Sequence, residues 1–471
     1  MLGLALLIVG AGESTVRAEA ELSKQAAFPG AEGWGAVSVG GRGGKVIKVR
    51  NLDSSGPGSL AEACATEGPR IVVFEVGGVI RGDIRITHPH LTIAGQTAPG
   101  VGITIEGMIS SFDHGVHDVI IRQLRVRRNP SKGSGGDCVQ LGGLGPKQGG
   151  TYNIILDHLS LSWGSDELID LYNAHDVTVQ WSTLEESDEQ GHDKGAHNFG
   201  LISAAEDSGA ISLHHNLWAH HARRVPCLAP YREQAAGDFC NNLIYNCRGG
   251  YVDDGHGARA KSPVNLHRNY YLRGPQTAER MYPYALSPQM NYYVRDNYFE
   301  DWGYQHHPKH WRYGGTTPRW LQFNNNGGEL AEPAGVPRIE MVDAREVPSL
   351  VLANAGCWPR DRVTKRTIEE VKSKVGKWGR NAPAELSDEW YLEGLATGKA
   401  PTDTDDDGLP DSWEAKHGLD PNNATDGARL VARGGSPGDR HEGYSFLEFY
   451  LNELADGLVP KSSPKLVPNS K

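Results

Sequence analysis

The chain has 471 residues, which is enough for two or three ordinary domains or for one elongated repeat protein with an appendage. It carries 47 basic and 58 acidic side chains, and the resulting net charge of −11 argues against a dedicated nucleic-acid binder. Glycine occurs 59 times and is scattered along the chain, which indicates frequent turns.

Residues 1–20 hold a short apolar run followed by the small-residue sequence "AEA", a pattern typical of a signal peptide. No basic residue precedes the apolar run, so an ordinary ragged N-terminus is the alternative. With a signal peptide the protein would be secreted or periplasmic. No later apolar run reaches the ~20 residues of a membrane span, and no membrane partner is expected. The six cysteines form no CxxC pair, which disfavours a zinc ribbon.

Two segments flank a repetitive middle part of the chain. The stretch "GSLAEACA", from residue 58, predicts a short helix that closes the N-terminal end of a solenoid. After residue 300 the repeat fades into "TKRTIEEVKSKVGKW", which predicts a helix, and then into a linker over residues 381–402. The solenoid domain is accordingly placed at residues 28–380.

The middle part repeats a short phrase in which β-branched or aromatic residues alternate with others between Gly, Asn or Asp. The copies are "DVIIRQLRV" at 118, "NIILDHLSL" at 153, "DVTVQWSTL" at 176, "AISLHHNLW" at 210, "DFCNNLIYN" at 238, "PVNLHRNYYL" at 263 and "NYYVRDNYF" at 291. Aligned, they place Asn216, Asn242, Asn269 and Asn297 at one position, 26 to 28 residues apart. This period predicts a parallel β-helix, in which the asparagines form a structural ladder of amide hydrogen bonds.

One strand of the repeat carries unexpected charge. Asp166 and Asp170 in "SDELIDLY" are four residues apart, so an extended chain places both on one face and Glu167 on the other. Two like charges on one strand face repel each other unless they lie at a solvated edge or share a cation.

A second unit, residues 403–456, opens with "DTDDDGLPDSWE". Read as a calcium loop, it places Gly408 at the sixth position, as such loops require. The predicted ligands are Asp403, Asp405, Asp407, the Leu409 carbonyl, Asp411 and Glu414. Pro401 and Pro410 exclude an ordinary entering helix, whereas "SFLEFYLNELAD" predicts a second helix. We therefore expect a small α-helical, EF-hand-like module in which Ca²⁺ supports stability, followed by a disordered tail at residues 457–471.

Over residues 28 to about 300 the chain resembles the calcium-dependent pectate lyases of polysaccharide lyase family 1. The resemblance lies in "NLDSSGPGSLAEAC", "IVVFEVGGVI", "LTIAGQTAPG", "GDCVQL", "IILDHLSLSW", "DELIDL", "HDVTVQW", "HHNLWAHHARRVP" and "NNLIYN", in the family's order. It implies an all-β fold, a right-handed parallel β-helix, and a monomeric lyase. The implied reaction is β-elimination of polygalacturonate, an anionic polysaccharide, to 4,5-unsaturated oligogalacturonides with Ca²⁺ as cofactor.

The resemblance also implies roles for individual residues. Asp137 in "GGDCVQL", together with Asp166 and Asp170, would hold the calcium ion. Arg224 matches the family's Arg-x-Pro base, and Arg223 is its neighbour. Two further residues would hold substrate carboxylates, namely Lys194 in "GHDKGAH" and Arg232. The family's second arginine would fall at Ala229, so Arg232 would replace it from a longer loop.

Two other functions stay open at this stage. A polygalacturonase-type hydrolase could share the fold, and "DDGHG" at 253 is faintly similar to that family, but its other elements are missing. A non-catalytic β-helix that binds polysaccharide is the second alternative. A zinc site is disfavoured, because stacked coils place polar residues at such positions for structural reasons. The histidines concerned are His158, His214, His215, His220 and His221.

Overall fold

The computed structural model describes residues 25–130, 136–143, 150–232, 235–248, 252–253, 262–277, 284–286, 290–301, 303–305, 328–432 and 440–460. The predicted signal peptide at residues 1–20 and residues 461–471 of the predicted tail lie outside these ranges. The prediction of a tail that starts at residue 457 is wrong at its beginning, because the last helix continues to Leu458. In the described part, no helix has the length and apolar character needed to cross a membrane. All six cysteines are buried free thiols.

Most of the described chain forms short β-strands. In chain order they are β1 (Lys45–Val49), β2 (Arg70–Phe74), β3 (Gly78–Arg81), β4 (Ile84–Arg85), β5 (Leu91–Ala94), β6 (Ile103–Glu106), β7 (Ile109–Ser110), β8 (His117–Arg122), β9 (Arg125–Arg127), β10 (Val139–Gly142), β11 (Thr151–Asp157), β12 (Ser160–Ser162), β13 (Ile169–Tyr172), β14 (Ala174–Gln180), β15 (Thr183–Glu185), β16 (Leu201–Ala205), β17 (Gly209–His214), β18 (Leu217–Ala219), β19 (Cys227–Pro230), β20 (Gly237–Cys240), β21 (Leu243–Tyr245), β22 (Val252–Asp253), β23 (Val264–His267), β24 (Tyr270–Leu272), β25 (Tyr284–Ala285), β26 (Tyr292–Arg295), β27 (Asn297–Phe299) and β28 (Gly303–Gln305).

The strands build three long sheets, and each complete coil gives one strand to each sheet. The first sheet has the order β1-β2-β5-β8-β11-β14-β17-β20-β23-β26. The second has eight strands, β25-β22-β19-β16-β13-β10-β7-β4, and the third runs β28-β27-β24-β21-β18-β15-β12-β9-β6-β3. Neighbouring strands pair in parallel, apart from the antiparallel pair β27–β28. The parallel β-helix predicted from the repeat period is confirmed.

Alternation along each strand explains where the core lies. In β2, Val72 and Phe74 point into the interior of the solenoid, whereas Ile71 and Val73 belong to a separate cluster on its outer side. Coils stack their inward residues into one continuous core, because a single coil cannot bury its own apolar face.

The predicted asparagine ladder is also confirmed. The Nδ2 of Asn216, Asn242 and Asn269 donates to the Oδ1 of the next asparagine at 3.2, 3.1 and 3.0 Å, ending at Asn297. Each Oδ1 in turn accepts a backbone N–H from the preceding coil, for example Asn216 N–H to Asn242 Oδ1 at 3.0 Å. All four side chains are fully buried, so the ladder satisfies polar groups inside the solenoid.

Helices and irregular segments cover the outer faces of the first and third sheets. The helices are α1 (Leu60–Ala65), α2 (Val347–Asn354), α3 (Arg362–Ser373), α4 (Asp388–Leu392), α5 (Asp411–His417) and α6 (Phe446–Leu458). The predictions of α1, α3 and α6 are confirmed by their positions. Helices α2 and α3 pack on the third sheet, and α5 and α6 pack on the first coils of the first sheet. The segment predicted as a linker contains α4, whose Tyr391 is buried against Val79 and Trp163.

Candidate active site and metal centre

The three acidic residues predicted to hold calcium come together at the eight-stranded sheet. Asp170 lies on β13 opposite Gln140 of β10, Asp137 lies two residues before β10, and Asp166 lies in the turn before β13. Backbone bonds fix this turn to the preceding coil, with Ser165 N–H donating to the Gly136 carbonyl at 3.0 Å. The stacking of two successive coils therefore brings these three carboxylates together.

Burial and mutual repulsion destabilise the charged forms of these carboxylates. Burial, followed by the charges of Asp170 and Asp166, raises the pKa of Asp137 well above its usual value. Burial and the charge of Asp166 together raise the pKa of Asp170 to about 7, against a lowering hydrogen bond from Gln140. Asp170 Oδ1 is buried without a hydrogen-bond partner in the described part of the chain. An oxygen-only donor set with such an orphaned atom fits a hard cation such as Ca²⁺.

Two histidines that the sequence did not indicate as site residues contact Asp166. His197 Nδ1 lies 2.6 Å from Asp166 Oδ1, and His192 Nε2 lies 3.1 Å from Asp166 Oδ2. Their rings stack with centroids 4.0 Å apart. Both belong to the loop sequence "GHDKGAH", where only Lys194 had been singled out.

Glu167 is placed differently from the prediction. It was expected on the opposite face from Asp166, but the strand begins only at Ile169, so strict alternation does not apply at residues 166 and 167. The ligand atoms of Asp137, Asp166 and Glu167 lie within 4.8 Å of one another. Asp137 Oδ1 accepts the Glu167 backbone N–H at 2.9 Å, which links the two coils. Glu167 therefore belongs to the acidic cluster.

Arg224 lies beside this cluster. Its Nη1 forms an ion pair with Glu167 Oε1, and its guanidinium carbon lies 4.3 Å from the ring centroid of Phe199. The backbone of Arg224 has a φ of 56°, a left-handed conformation that is uncommon for a residue with a side chain. Arg223, in contrast, is exposed. The geometry thus presents Arg224, and not Arg223, to the acidic cluster.

The two predicted substrate cations lie in loops. Lys194 is exposed between His192 and His197, and its backbone N–H donates to His192 Nδ1 at 3.1 Å. Arg232 follows β19 and is also exposed, with its Nη1 3.9 Å from Asp207 Oδ1. The structure brings Lys194 to the loop that contacts Asp166, whereas the ion pair of Arg232 is with Asp207.

The predicted C-terminal ligands form a second acidic cluster on the outer side of the first sheet. Asp403, Asp405, Asp407 and Glu414 act on one another electrostatically, and the Leu409 side chain is buried beneath them. Asp411 is turned away and accepts hydrogen bonds from Thr404 N–H and Oγ1, each at 2.8 Å. Asp426, which the sequence did not indicate, is among the charges that raise the pKa of Glu414, whereas Asp411 is not.

Fold and site together define a parallel β-helix protein with a cluster of acidic side chains beside an arginine on one sheet. Curated proteins with similar sequences align with this chain over more than nine tenths of its length. A probable pectate lyase C of Aspergillus flavus is 36% identical over 444 residues, covering 93% of this chain and 94% of that protein. The corresponding protein of Emericella nidulans is 35% identical over 448 residues, covering 91% of this chain and 92% of that protein. No protein-family model matches the chain.

Solved structures with similar folds are more distant in sequence. A pectate lyase of Bacillus sp. N165 in complex with trigalacturonate is 15% identical, covers 69% of this chain and 98% of that chain, and has a TM-score of 0.43. The cedar pollen allergen Jun a 1 is 15% identical, covers 69% and 92%, and has a TM-score of 0.47. On the strength of the curated relatives, the chain belongs to the pectate lyase family and is a polysaccharide lyase.

Proposed function

We propose that the protein cleaves homogalacturonan by calcium-dependent β-elimination and releases 4,5-unsaturated oligogalacturonides. The observation that carries this proposal is the ion pair of Arg224 with Glu167 directly beside the carboxylates of Asp137, Asp166 and Asp170. Family membership supports the reaction class, and the oxygen-only donor set supports the choice of cation.

The reaction needs a base and a way to stabilise negative charge. Elimination removes the C5 proton of a uronic acid, forms the C4–C5 double bond and breaks the bond to O4, which takes a proton from solvent. Charge develops next to the C5 carboxylate as the proton leaves. A bound Ca²⁺ would draw electron density from that carboxylate and so acidify C5.

Individual residues of this chain would bind the ion, remove the proton and bind the substrate. Asp137, Asp166 and Asp170 would hold the ion, and Arg224 would take the C5 proton. Glu167 pairs with the guanidinium and the Phe199 ring packs against it, and both contacts hold it beside the acidic cluster. Two exposed cations, Lys194 and Arg232, would pair with carboxylates of the bound polyuronide.

The test of this proposal is the formation of unsaturated product from polygalacturonate, followed by its ultraviolet absorbance. We expect turnover with Ca²⁺, loss of turnover after chelation, and recovery on adding Ca²⁺ back. Asp170→Asn should weaken calcium binding, measured by titration, because it removes a charge from the site. A hydrolase would instead release saturated reducing ends, and a binding protein would release neither product.

We also infer a second calcium site in the loop 403–414, with a role in stability and not in catalysis. Its spacing of acidic residues supports this, as does its position on a different sheet from Asp170. The N-terminal sequence pattern supports a signal peptide at residues 1–20 and hence a secreted or periplasmic enzyme.

A further inference from the structure

Five carboxylates converge at the start of α5, and several of their oxygens are buried without a partner. Glu414 is fully buried, and neither of its carboxylate oxygens has a hydrogen-bond partner among the described residues. The same holds for Asp405 Oδ2 and for Asp426 Oδ1, and Asp426 is 1% exposed. Leaving charged oxygens buried and unpaired is costly, which points to a cation at their centre.

Electrostatics connects the five residues into one group. Burial, together with the charges of Asp407, Asp405, Asp426 and Asp403, raises the pKa of Glu414 to about 7. Burial likewise raises the pKa of Asp407 to about 6, with contributions from Asp405 and Asp403. Oxygen ligands in this number and charge match the coordination that Ca²⁺ prefers.

Asp426 reaches the cluster from outside the twelve-residue loop. Gly427 N–H donates to Asp407 Oδ2 at 3.0 Å, and a Cβ at Gly427 would lie only 2.4 Å from that oxygen. The adjacent Asp426 uses Oδ2 to accept the Asp420 N–H at 2.9 Å, which leaves Oδ1 for the cluster. Asp411 differs from Asp426 in two ways: Thr404 donates to both of its oxygens, and its charge is not among those that act on Glu414.

We propose that one Ca²⁺ is held by Asp403, Asp405, Asp407, Glu414 and Asp426, and that this ion clamps the C-terminal segment onto the first coils of the β-helix. The inference deepens the proposed second calcium site: among the side-chain ligands Asp426 replaces Asp411, and the ion also holds the C-terminal segment against the solenoid.

The loop 403–414 also contacts the first two strands of the solenoid, and these contacts are the reason for assigning it a clamping role. Lys48 of β1 lies 2.8 Å from Asp403 Oδ2 and 2.5 Å from Asp406 Oδ1, and Arg50 lies 2.9 Å from Asp406. The Leu409 side chain packs in one cluster with Ile71 and Val73 of β2. An ion that orders the loop therefore also orders its contacts with β1 and β2.

The experiment compares Asp426→Asn with Asp411→Asn in the full-length chain carrying Asp170→Asn, so that the catalytic calcium site is already weakened. Terbium is the probe of the calcium site, because Trp413 is adjacent to Glu414 and can sensitise the luminescence of a terbium ion bound there. Ca²⁺ affinity is then measured by displacement of terbium. We expect Asp426→Asn to weaken binding at least about 10-fold, whereas Asp411→Asn should change it less than about 3-fold.

The second readout is the rise in melting temperature that Ca²⁺ produces, which should shrink in Asp426→Asn and persist in Asp411→Asn. An Asp411→Asn effect equal to or larger than that of Asp426→Asn would overturn the exchange of ligands while leaving a calcium site in the loop. Absence of terbium binding in the parent chain would overturn the second site altogether. Should Asp426→Asn not fold, Glu414→Gln replaces it, and retention of full terbium affinity by that variant would equally overturn the proposal. Lyase turnover does not enter these readouts, so a failure of the catalytic assignment would be seen separately.

Discussion

Two neighbouring carboxylates, Asp166 and Glu167, have different partners although they follow each other in sequence. Asp166 contacts two imidazoles and retains 27% exposure of its side chain, whereas Glu167 is 3% exposed and pairs with Arg224. The more exposed carboxylate thus faces solvent and the loop that carries both imidazoles. The buried one is committed to holding the guanidinium, because breaking a buried ion pair is costly.

At the residue scale, the first prediction concerns Arg224. Replacement with Lys keeps the positive charge but removes the planar fork that Glu167 and Phe199 hold in place. If Arg224 is the base, turnover of polygalacturonate should fall roughly 10²- to 10⁴-fold, the usual contribution of general base catalysis. The measurement is the initial rate of unsaturated product formation at saturating Ca²⁺ and alkaline pH, together with KM.

Arg223→Lys is the matched control, since Arg223 is exposed and adjacent in sequence. It should change the rate little. If Arg224→Lys mainly raises KM and keeps turnover, Arg224 attracts the polyanion and another group is the base. If Arg223→Lys is the inactive variant, the motif assignment is displaced by one residue.

Sequence spacing identified site residues only where the ligands come from one short segment or match a family motif. Asp403, Asp405 and Asp407 follow the spacing of a calcium loop, and the structure places all three in one cluster. Asp426 and His192 were missed, because they reach their clusters from later loops whose path depends on tertiary packing. The spacing of residues within one short segment does not show which later loops fold back onto that segment.

At the element scale, alternation and period predicted the strands, but not the corners between them. From β8 onward, each coil turns from the first sheet to the third through one residue with positive φ, such as Gln123 at 56°, His158 at 53°, Trp181 at 49° and His215 at 57°. Glycine, the usual signal for that conformation, is absent at these four positions. Stacking of successive coils imposes the backbone conformation there against local preference.

The asparagine ladder yields the element-scale prediction. Asn242 is in its middle, donates to Asn269 Oδ1 and to the carbonyls of Leu213 and Cys240, and accepts from Asn216. Asn242→Ala leaves several buried groups unsatisfied, each costing about 1–3 kcal/mol. We expect the free energy of unfolding to fall by about 3 kcal/mol, measured from the urea midpoint.

The control for this prediction is the exposed Asn422, whose replacement by Ala should change stability by no more than about 0.5 kcal/mol. Equal stability of Asn242→Ala and Asn422→Ala would mean that the ladder contributes no net stability, even though it satisfies buried amides.

At the scale of the whole molecule, the outer faces of the sheets have different roles. The outer face of the first sheet is covered on its first coils by the C-terminal helices and on later coils by residues 27–35. That of the third sheet is covered by α2 and α3. The outer face of the eight-stranded sheet carries Asp170 and the exposed Tyr172. The covered faces complete the hydrophobic packing of the solenoid, which leaves the second sheet available for a long polysaccharide.

Docking of the C-terminal helices predicts that helices and solenoid melt together. Leu451 of α6 is 5% exposed and lies in the cluster that includes Ile71 and Val73, whereas Leu430 is 57% exposed. Leu451→Ala should cost about 2–5 kcal/mol through the cavity it leaves, and Leu430→Ala should be nearly neutral. Because the cluster joins both parts, circular dichroism at a strand wavelength and proteolytic cleavage within residues 446–458, each followed against temperature, should report one shared, lowered transition in Leu451→Ala. If the strand signal keeps its original melting temperature while these residues become cleavable at a lower temperature, the C-terminal segment unfolds independently and the apolar contact does not couple it to the solenoid.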